Sequence, residues 1–366
     1  MTKDKSFIPW WRIQYTETDV QSVAQAVRAE HISLGPVTAA FEKKLSEKLC
    51  VPYVVATTSG SMALLMTLIA LGIGTGDEVI IPNRTWIAAA HAVNMLGAKV
   101  VLTDVLSHLP IIDVSQIEAK ITSKTKAIIP AALSGRSINI DAIKILAKKY
   151  RLHVIEDAAQ AIFSREKGEF AGTQADVGCF SFSVSKLIPT GQGGCIVTKD
   201  RHLYQELVKI RTHGVESLLD CVYNRFGFNC RFTDLQASIG LTQLEKVEQK
   251  ITNINKIYYQ YESGLKNNSK IHLIPVAVSE GEVPLYIEVL CAAREKLICF
   301  LQEQQIQVKS FYPNLNRATY LNCMANFPSA NIFESQGITL PCGPDQSLEN
   351  IKHVIKAMNI YEKNET

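Results

Sequence analysis

The chain has 366 residues, 47% hydrophobic and 20% charged, with a formal net charge of +3. This length predicts two domains of unequal size, and the composition excludes a long disordered tail. The small positive surplus, spread without basic runs, excludes an electrostatic footprint for nucleic acid or an anionic membrane surface.

In chain order, helix and strand signals alternate over the first 200 residues. Gly35-Pro36 opens a helix through Phe41, Leu45 and Leu49, with proline near the first turn where its missing N–H costs nothing. Residues 53–57 read as a strand, 61–71 as a buried helix ending at Gly72, and 78–81 as the next strand. A helix follows over 85–96, stopped by Gly97, and the strand signal returns at 100–103, 127–129 and 152–155, with a helix at 141–150. This alternation predicts crossover units and a largely parallel sheet covered on both faces.

Beyond residue 230 the pattern changes. Leu244, Val247, Ile251, Ile254, Tyr258 and Tyr261 recur at spacings of three and four, which predicts one long helix over about 233–262. That helix would join a large domain, 1–250, to a small C-terminal domain, 251–366, with helices near 294–304 and 348–358. The longest apolar stretch, 62–73, is broken by Gly72 and falls short of the roughly 20 residues that span a bilayer. Nine cysteines are scattered singly, with no Cys-x-x-Cys pair and no signal peptide before them, so reduced thiols, a cytoplasmic location and no metal site are expected.

Two residues at strand ends draw attention. Asp157 closes the apolar run 151–156, and Lys186 follows the run 179–185; in an open α/β sheet, ligands gather outside the carboxyl ends of the strands. Gly191-Gln-Gly-Gly194 just beyond the lysine permits close approach of backbone to a bound molecule. Upstream, Thr57-Thr58-Ser59-Gly60-Ser61-Met62 joins a strand to a helix and leaves amides at the helix start for an anion such as phosphate. Each feature also has an ordinary reading: a capped helix start, a solvated lysine, an aspartate cap.

Ser59-Gly60-Ser61-Met62-Ala63-Leu64, Gly76-Asp77-Glu78-Val79-Ile80-Ile81-Pro82, Glu156-Asp157-Ala-Ala-Gln160, Phe180-Ser-Phe182, Lys186, Gly193-Gly194 and Asn229-Cys-Arg231-Phe-Thr-Asp234 occur in one order. As an ordered set these blocks, which extend over nearly the whole chain, resemble the DegT/DnrJ/EryC1/StrS family of pyridoxal-phosphate-dependent sugar aminotransferases. The resemblance implies a fold type I, aspartate aminotransferase-like α/β architecture, and a homodimer with shared active sites. It implies Lys186 as the amine that takes the cofactor aldehyde and moves protons, and Asp157 as the partner of the pyridine nitrogen. Gln160 would bond the ring hydroxyl, and Trp86 would stack on the ring rather than pack in the core. Phosphate would be held by Gly60, Ser61, Met62 and Ser181, with Asn229 from the neighbouring subunit and Arg231 as a second candidate.

The same resemblance implies L-glutamate as donor and a nucleotide-linked keto sugar as acceptor, in amino sugar biosynthesis for a polysaccharide, a glycan or a secondary metabolite. The alternatives are a non-catalytic regulatory or scaffold protein of the same fold, and a sugar dehydratase in which histidine replaces the lysine. Departures from the family pattern fall at 130–135, 161–163, Gln192 and 312–316, where they bear on the acceptor sugar rather than on the cofactor.

Overall fold

The computed structural model describes residues 7–216, 222–223 and 225–364. Its first part runs α1 (Glu17–Arg28), α2 (Pro36–Leu49), β1 (Tyr53–Thr57), α3 (Gly60–Ala70), β2 (Glu78–Pro82), α4 (Ala88–Met95), β3 (Lys99–Thr103) and β4 (Thr125–Ile128). It continues with α5 (Ile140–Tyr150), β5 (His153–Asp157), a small hairpin of β6 (Arg165–Glu166) and β7 (Glu169–Phe170), then β8 (Val177–Ser181), β9 (Gly194–Thr198) and α6 (Arg201–Arg211). The predicted strands and helices of this region are all present, to within a few residues at their ends.

Seven strands form one sheet in the order β1-β9-β8-β5-β4-β2-β3. Only β9 opposes its neighbours, pairing antiparallel with both β1 and β8, while the other pairs are parallel. Residues alternate between the two faces as the period of two requires. Val54, Ala56, Ile80, Ile128 and Val154 face one core, which also buries Phe41, Leu45 and Leu49 of α2. Val55, Val79, Ile81, Ala127 and Ile155 face the other, against the apolar α3 and α4. With both faces covered, polar groups that must meet a ligand are left to the strand ends.

The long helix predicted over 233–262 is two helices, α7 (Asp234–Glu245) and α8 (Val247–Leu265). Lys246 breaks them with φ −89° and ψ 1°, outside helical geometry. The cause is tertiary. Thr242 Oγ1 and Gln243 Nε2 donate to Asp19 Oδ1, at 2.5 and 2.8 Å, and Lys246 Nζ reaches Asp19 Oδ2 at 3.0 Å, so the end of α7 is tied to α1. A one-residue break leaves the apolar stripe continuous, which is why periodicity alone does not reveal it.

The C-terminal part adds β10 (Ile271–Leu273), β11 (Glu288–Cys291), α9 (Arg294–Glu303), β12 (Lys309–Ser310), α10 (Pro328–Gln336), β13 (Gly337–Thr339) and α11 (Leu348–Asn364). Its strands form an antiparallel sheet in the order β10-β11-β13-β12 around a core that includes Tyr258, Tyr261, Leu297, Ile338 and Val354. Ile8 joins this core, and bridges Ile8–Ile306 and Trp11–Cys342 lay the N-terminal segment alongside it. Among the described residues no helix is long and apolar enough to cross a membrane. The described cysteines form no disulfide with one another, and Cys221 lies outside the described residues.

Candidate active site

Asp157 is the last residue of β5, and β5 pairs in parallel with β8, where Asp157 lies opposite Cys179. Lys186 lies in the loop that leaves β8, which is folded back by bonds from Phe182 N to Gly193 O and from Thr190 N to Phe182 O, both 2.8 Å. Phe180 and Phe182 are fully buried, so the alternation along β8 turns Ser181 between them the other way. Ser181 lines a cavity of about 400 Å³ together with Gly60, Ser61, Trp86, Asp157, Gln160 and Lys186. Residues from four separate strand ends thus meet in one pocket.

Burial of the pocket's ionisable groups changes their acid–base character. Burial pulls the Lys186 ammonium down to about 8, against the opposing field of Asp157. Burial likewise pushes the Asp157 carboxyl above the ordinary range, offset by the Ala159 N–H, 3.2 Å from Oδ1, and by Lys186. A buried carboxylate with one weak amide bond and a distant amine is a costly arrangement that a cationic ring nitrogen would relieve. Lys186 Nζ donates to Tyr286 Oη at 3.3 Å, and that hydroxyl donates to Ser185 O at 3.0 Å. Burial raises the Tyr286 phenol, so it stays protonated in this network.

Trp86 is 53% exposed on the pocket wall, edge-on to Tyr312 at 5.4 Å, which rules out core packing for it. Gln160 Oε1 accepts from Ser134 N at 2.9 Å, and its side chain also bonds the Tyr312 phenol, which burial pushes up to about 12. At the start of α3, Ser59 caps the helix by accepting from Met62 N at 3.1 Å. That bond occupies the Met62 amide, and Met62 does not line the pocket. The amides of Gly60 and Ser61 make no hydrogen bond among the described residues. A Cβ on Gly60 would lie 2.9 Å from Ser181 Cβ, and one on Gly194 2.6 Å from Gly60 N, so these two glycines let the helix start approach the end of β8 closely, with its amides available to an anion.

Asn229 and Arg231 do not line this pocket. Arg231 Nε donates to Asn229 Oδ1 at 2.8 Å, and Asn229 is exposed on the surface. Of the expected acceptor-side departures, Ala132, Leu133, Gln192 and Tyr312 line the pocket, whereas Phe163 packs edge-on against Phe170 at 5.9 Å and lies outside it. Phe163 is a core residue with a φ of +67°. Glu156, beside Asp157, is structural: it accepts from the amides of Gly172, Gln174 and Ala175 at 2.7, 2.8 and 2.7 Å and fixes the loop before β8.

Sequence patterns did not point to Tyr286, Glu288, Lys309, Thr339 or Trp10, all of which line the pocket. They come from the C-terminal sheet and the N-terminal segment, where strands of two to four residues are too short to show periodicity. Tyr312, next to Pro313, was visible only as part of a departing block.

The chain is similar to known proteins over nearly its whole length. The model of the DegT/DnrJ/EryC1/StrS aminotransferase family matches residues 14–359. GDP-perosamine synthase of Escherichia coli O157:H7 is 33% identical over 358 residues, covering 97% of this chain and 98% of that protein. The dTDP-3-amino-3,6-dideoxy-alpha-D-galactopyranose transaminase of Aneurinibacillus thermoaerophilus is 32% identical, covering 95% and 96%. Among solved structures, S. venezuelae DesV in complex with a ketimine intermediate superposes with a TM-score of 0.93 at 29% identity, covering 97% of this chain and 98% of that one. With an α/β fold of this type, a lysine and an aspartate meeting at the strand ends and a family match over nearly its full length, the chain belongs to the DegT/DnrJ/EryC1/StrS aminotransferase family.

Proposed function

We propose that this protein is a pyridoxal-phosphate-dependent transaminase that takes an amino group from L-glutamate and delivers it to a nucleotide-linked keto sugar. The observation that carries the reading is the buried pair Asp157 and Lys186 facing one cavity that the start of α3 also lines. When bound, pyridoxal phosphate supplies an aldehyde and a pyridinium ring that accepts electrons.

The residues present fit that group. Lys186 would hold the aldehyde, Asp157 the ring nitrogen, Gln160 the ring hydroxyl and Trp86 one ring face. The Gly60 and Ser61 amides and the Ser181 hydroxyl would hold the phosphate, completed by Asn229 of the partner subunit. Asp157 would hold a proton on the ring nitrogen it faces, and that cationic partner would offset the burial that raises its carboxyl. Lys186, with an amine pulled down to about 8, can both accept and return a proton at neutral pH. Tyr286 orients that amine through its hydroxyl.

A lysine rather than a histidine at this position speaks against the dehydratase alternative. Two of the similar proteins have names that refer to a nucleotide-linked amino sugar, which supports the acceptor class. We further propose a homodimer, a cytoplasmic location and a large and a small domain dividing near residue 250, within α8. The test is a single-turnover reaction of purified protein, supplied with pyridoxal phosphate, with L-glutamate alone. Stoichiometric 2-oxoglutarate is expected from the wild type and none from Lys186→Ala; its absence from the wild type at saturating glutamate would favour the non-catalytic scaffold.

A further inference from the structure

The pocket wall contributed by the C-terminal sheet has a graded charge. Glu288 of β11 lies opposite Thr339 of β13, and Thr339 in turn lies opposite Lys309 of β12. Side chains directly opposite across antiparallel strands share a face and stand roughly 5 Å apart. The three therefore form one row about 10 Å long, and all three line the cavity.

The two ends of the row are held differently. Glu288 is 8% exposed, and its Oε2 receives Arg136 NH1 at 2.6 Å. Arg136, 1% exposed, spends its other donors on the carbonyls of Pro275, Ile274 and Leu133, so it fixes the carboxylate without reaching past it. Glu288 Oε1 has no protein partner among the described residues and is not among the buried partnerless atoms. It is an acceptor open to the cavity. At the other end, Lys309 Nζ rests 3.6 Å from the centre of the Trp10 ring, which also lines the pocket, and no carboxylate lies within 4 Å of it among the described residues. Held over an aromatic face, this ammonium still has its donors for an anion.

We propose that this row orients the acceptor: Glu288 takes a hydroxyl of the sugar ring, and Lys309 pairs with the diphosphate that links the sugar to its nucleoside. A negative group fixed at the sugar end also selects by repulsion, so acceptors with a neutral sugar are admitted and those with a sugar carboxylate are disfavoured. This assignment rests on the transaminase reading above and names two specificity residues for it.

The experiment uses unreactive nucleotide sugars, which lack the keto group, as binding probes for the cofactor-loaded protein. UDP-glucose, dTDP-glucose, GDP-mannose and UDP-glucuronate are titrated calorimetrically against wild type, Glu288→Gln and Lys309→Met. Wild type should bind at least one neutral nucleotide sugar, and UDP-glucose roughly tenfold more tightly than UDP-glucuronate. Glu288→Gln should bring that ratio near one, mainly by improving the uronate. Lys309→Met should weaken all four probes roughly tenfold and leave the ratio in place.

Failure of wild type to bind any probe, an unchanged ratio in Glu288→Gln, or an unchanged affinity in Lys309→Met overturns the assignment. Glutamate single turnover, run on wild type and on each variant, reads the donor half-reaction separately. Loss of it in wild type strikes the transaminase reading itself, whereas loss in a variant alone shows that its residue serves the donor and not the acceptor. Thermal melts of both variants show whether each remains folded, and Lys309→Met, a substitution at an exposed site, keeps the test open if Glu288→Gln does not.

Discussion

Lys186 must be buried enough to lose its proton near neutrality and open enough to meet a ligand, and a loop folded over β8 by two backbone bonds meets both conditions. Because burial pulls its ammonium down to about 8, the neutral, nucleophilic amine is a minority below that pH and dominant above it. In apoprotein, the rate of fixing added pyridoxal phosphate should therefore rise about tenfold per pH unit below 8 and level off above it. Stopped-flow absorbance between pH 6 and 9.5 checks this; a flat profile would show that another group attacks. Lys186 and Asp157 were readable from the chain because each closes an apolar run, a local signal. Glu288 and Lys309 were not, since what makes them a pair is a register between strands some twenty residues apart, joined through a third strand. Met62 and Phe163, which the sequence places near the site, have contacts that the chain alone does not reveal, a helix cap and an aromatic neighbour.

At the scale of elements, the junction of α1 with α7 shows how one buried carboxylate can shape the chain. Asp19 caps α1 through Thr16 N and Oγ1, at 2.6 and 2.9 Å, while receiving Thr242, Gln243 and Lys246 from the end of α7. Burial alone would push its carboxyl up, but the bonds from Thr242, Thr16, Gln243 and Lys246 outweigh it and hold the group well below the usual carboxylate range. A depressed pKa stabilises the fold above the unfolded value and loses that contribution as pH falls through the folded one. Asp19→Asn should thus cost about 1–3 kcal/mol at pH 7. Urea midpoints should show the same gap at pH 5 and a smaller one only in stronger acid. The parallel elements were legible because their apolar runs are long and bounded by glycine. The break at Lys246 was not, because its cause lies more than two hundred residues upstream.

For the whole molecule, the exposed Asn229 sits away from the pocket of its own chain. If it completes the phosphate site of a second copy, Lys186→Ala and Asn229→Ala proteins should each be nearly inactive, yet regain activity when unfolded together and refolded as mixed dimers. One of the two sites in each mixed dimer then has both residues, so recovery approaches a quarter of wild type for random pairing. No recovery would place Asn229 outside the partner's site.

The separation of the two sheets has one more consequence, for how such a protein can change. Asp157 and Lys186 stand at strand ends of the seven-stranded sheet, while the row facing the acceptor, like Tyr286 beside the amine, belongs to the C-terminal part. Substitutions at Glu288, Thr339 or Lys309 leave the strand ends that carry Asp157 and Ser181 untouched. A new sugar preference can then be reached in small steps without passing through an inactive catalyst, and a designer can vary three positions while leaving the chemistry alone.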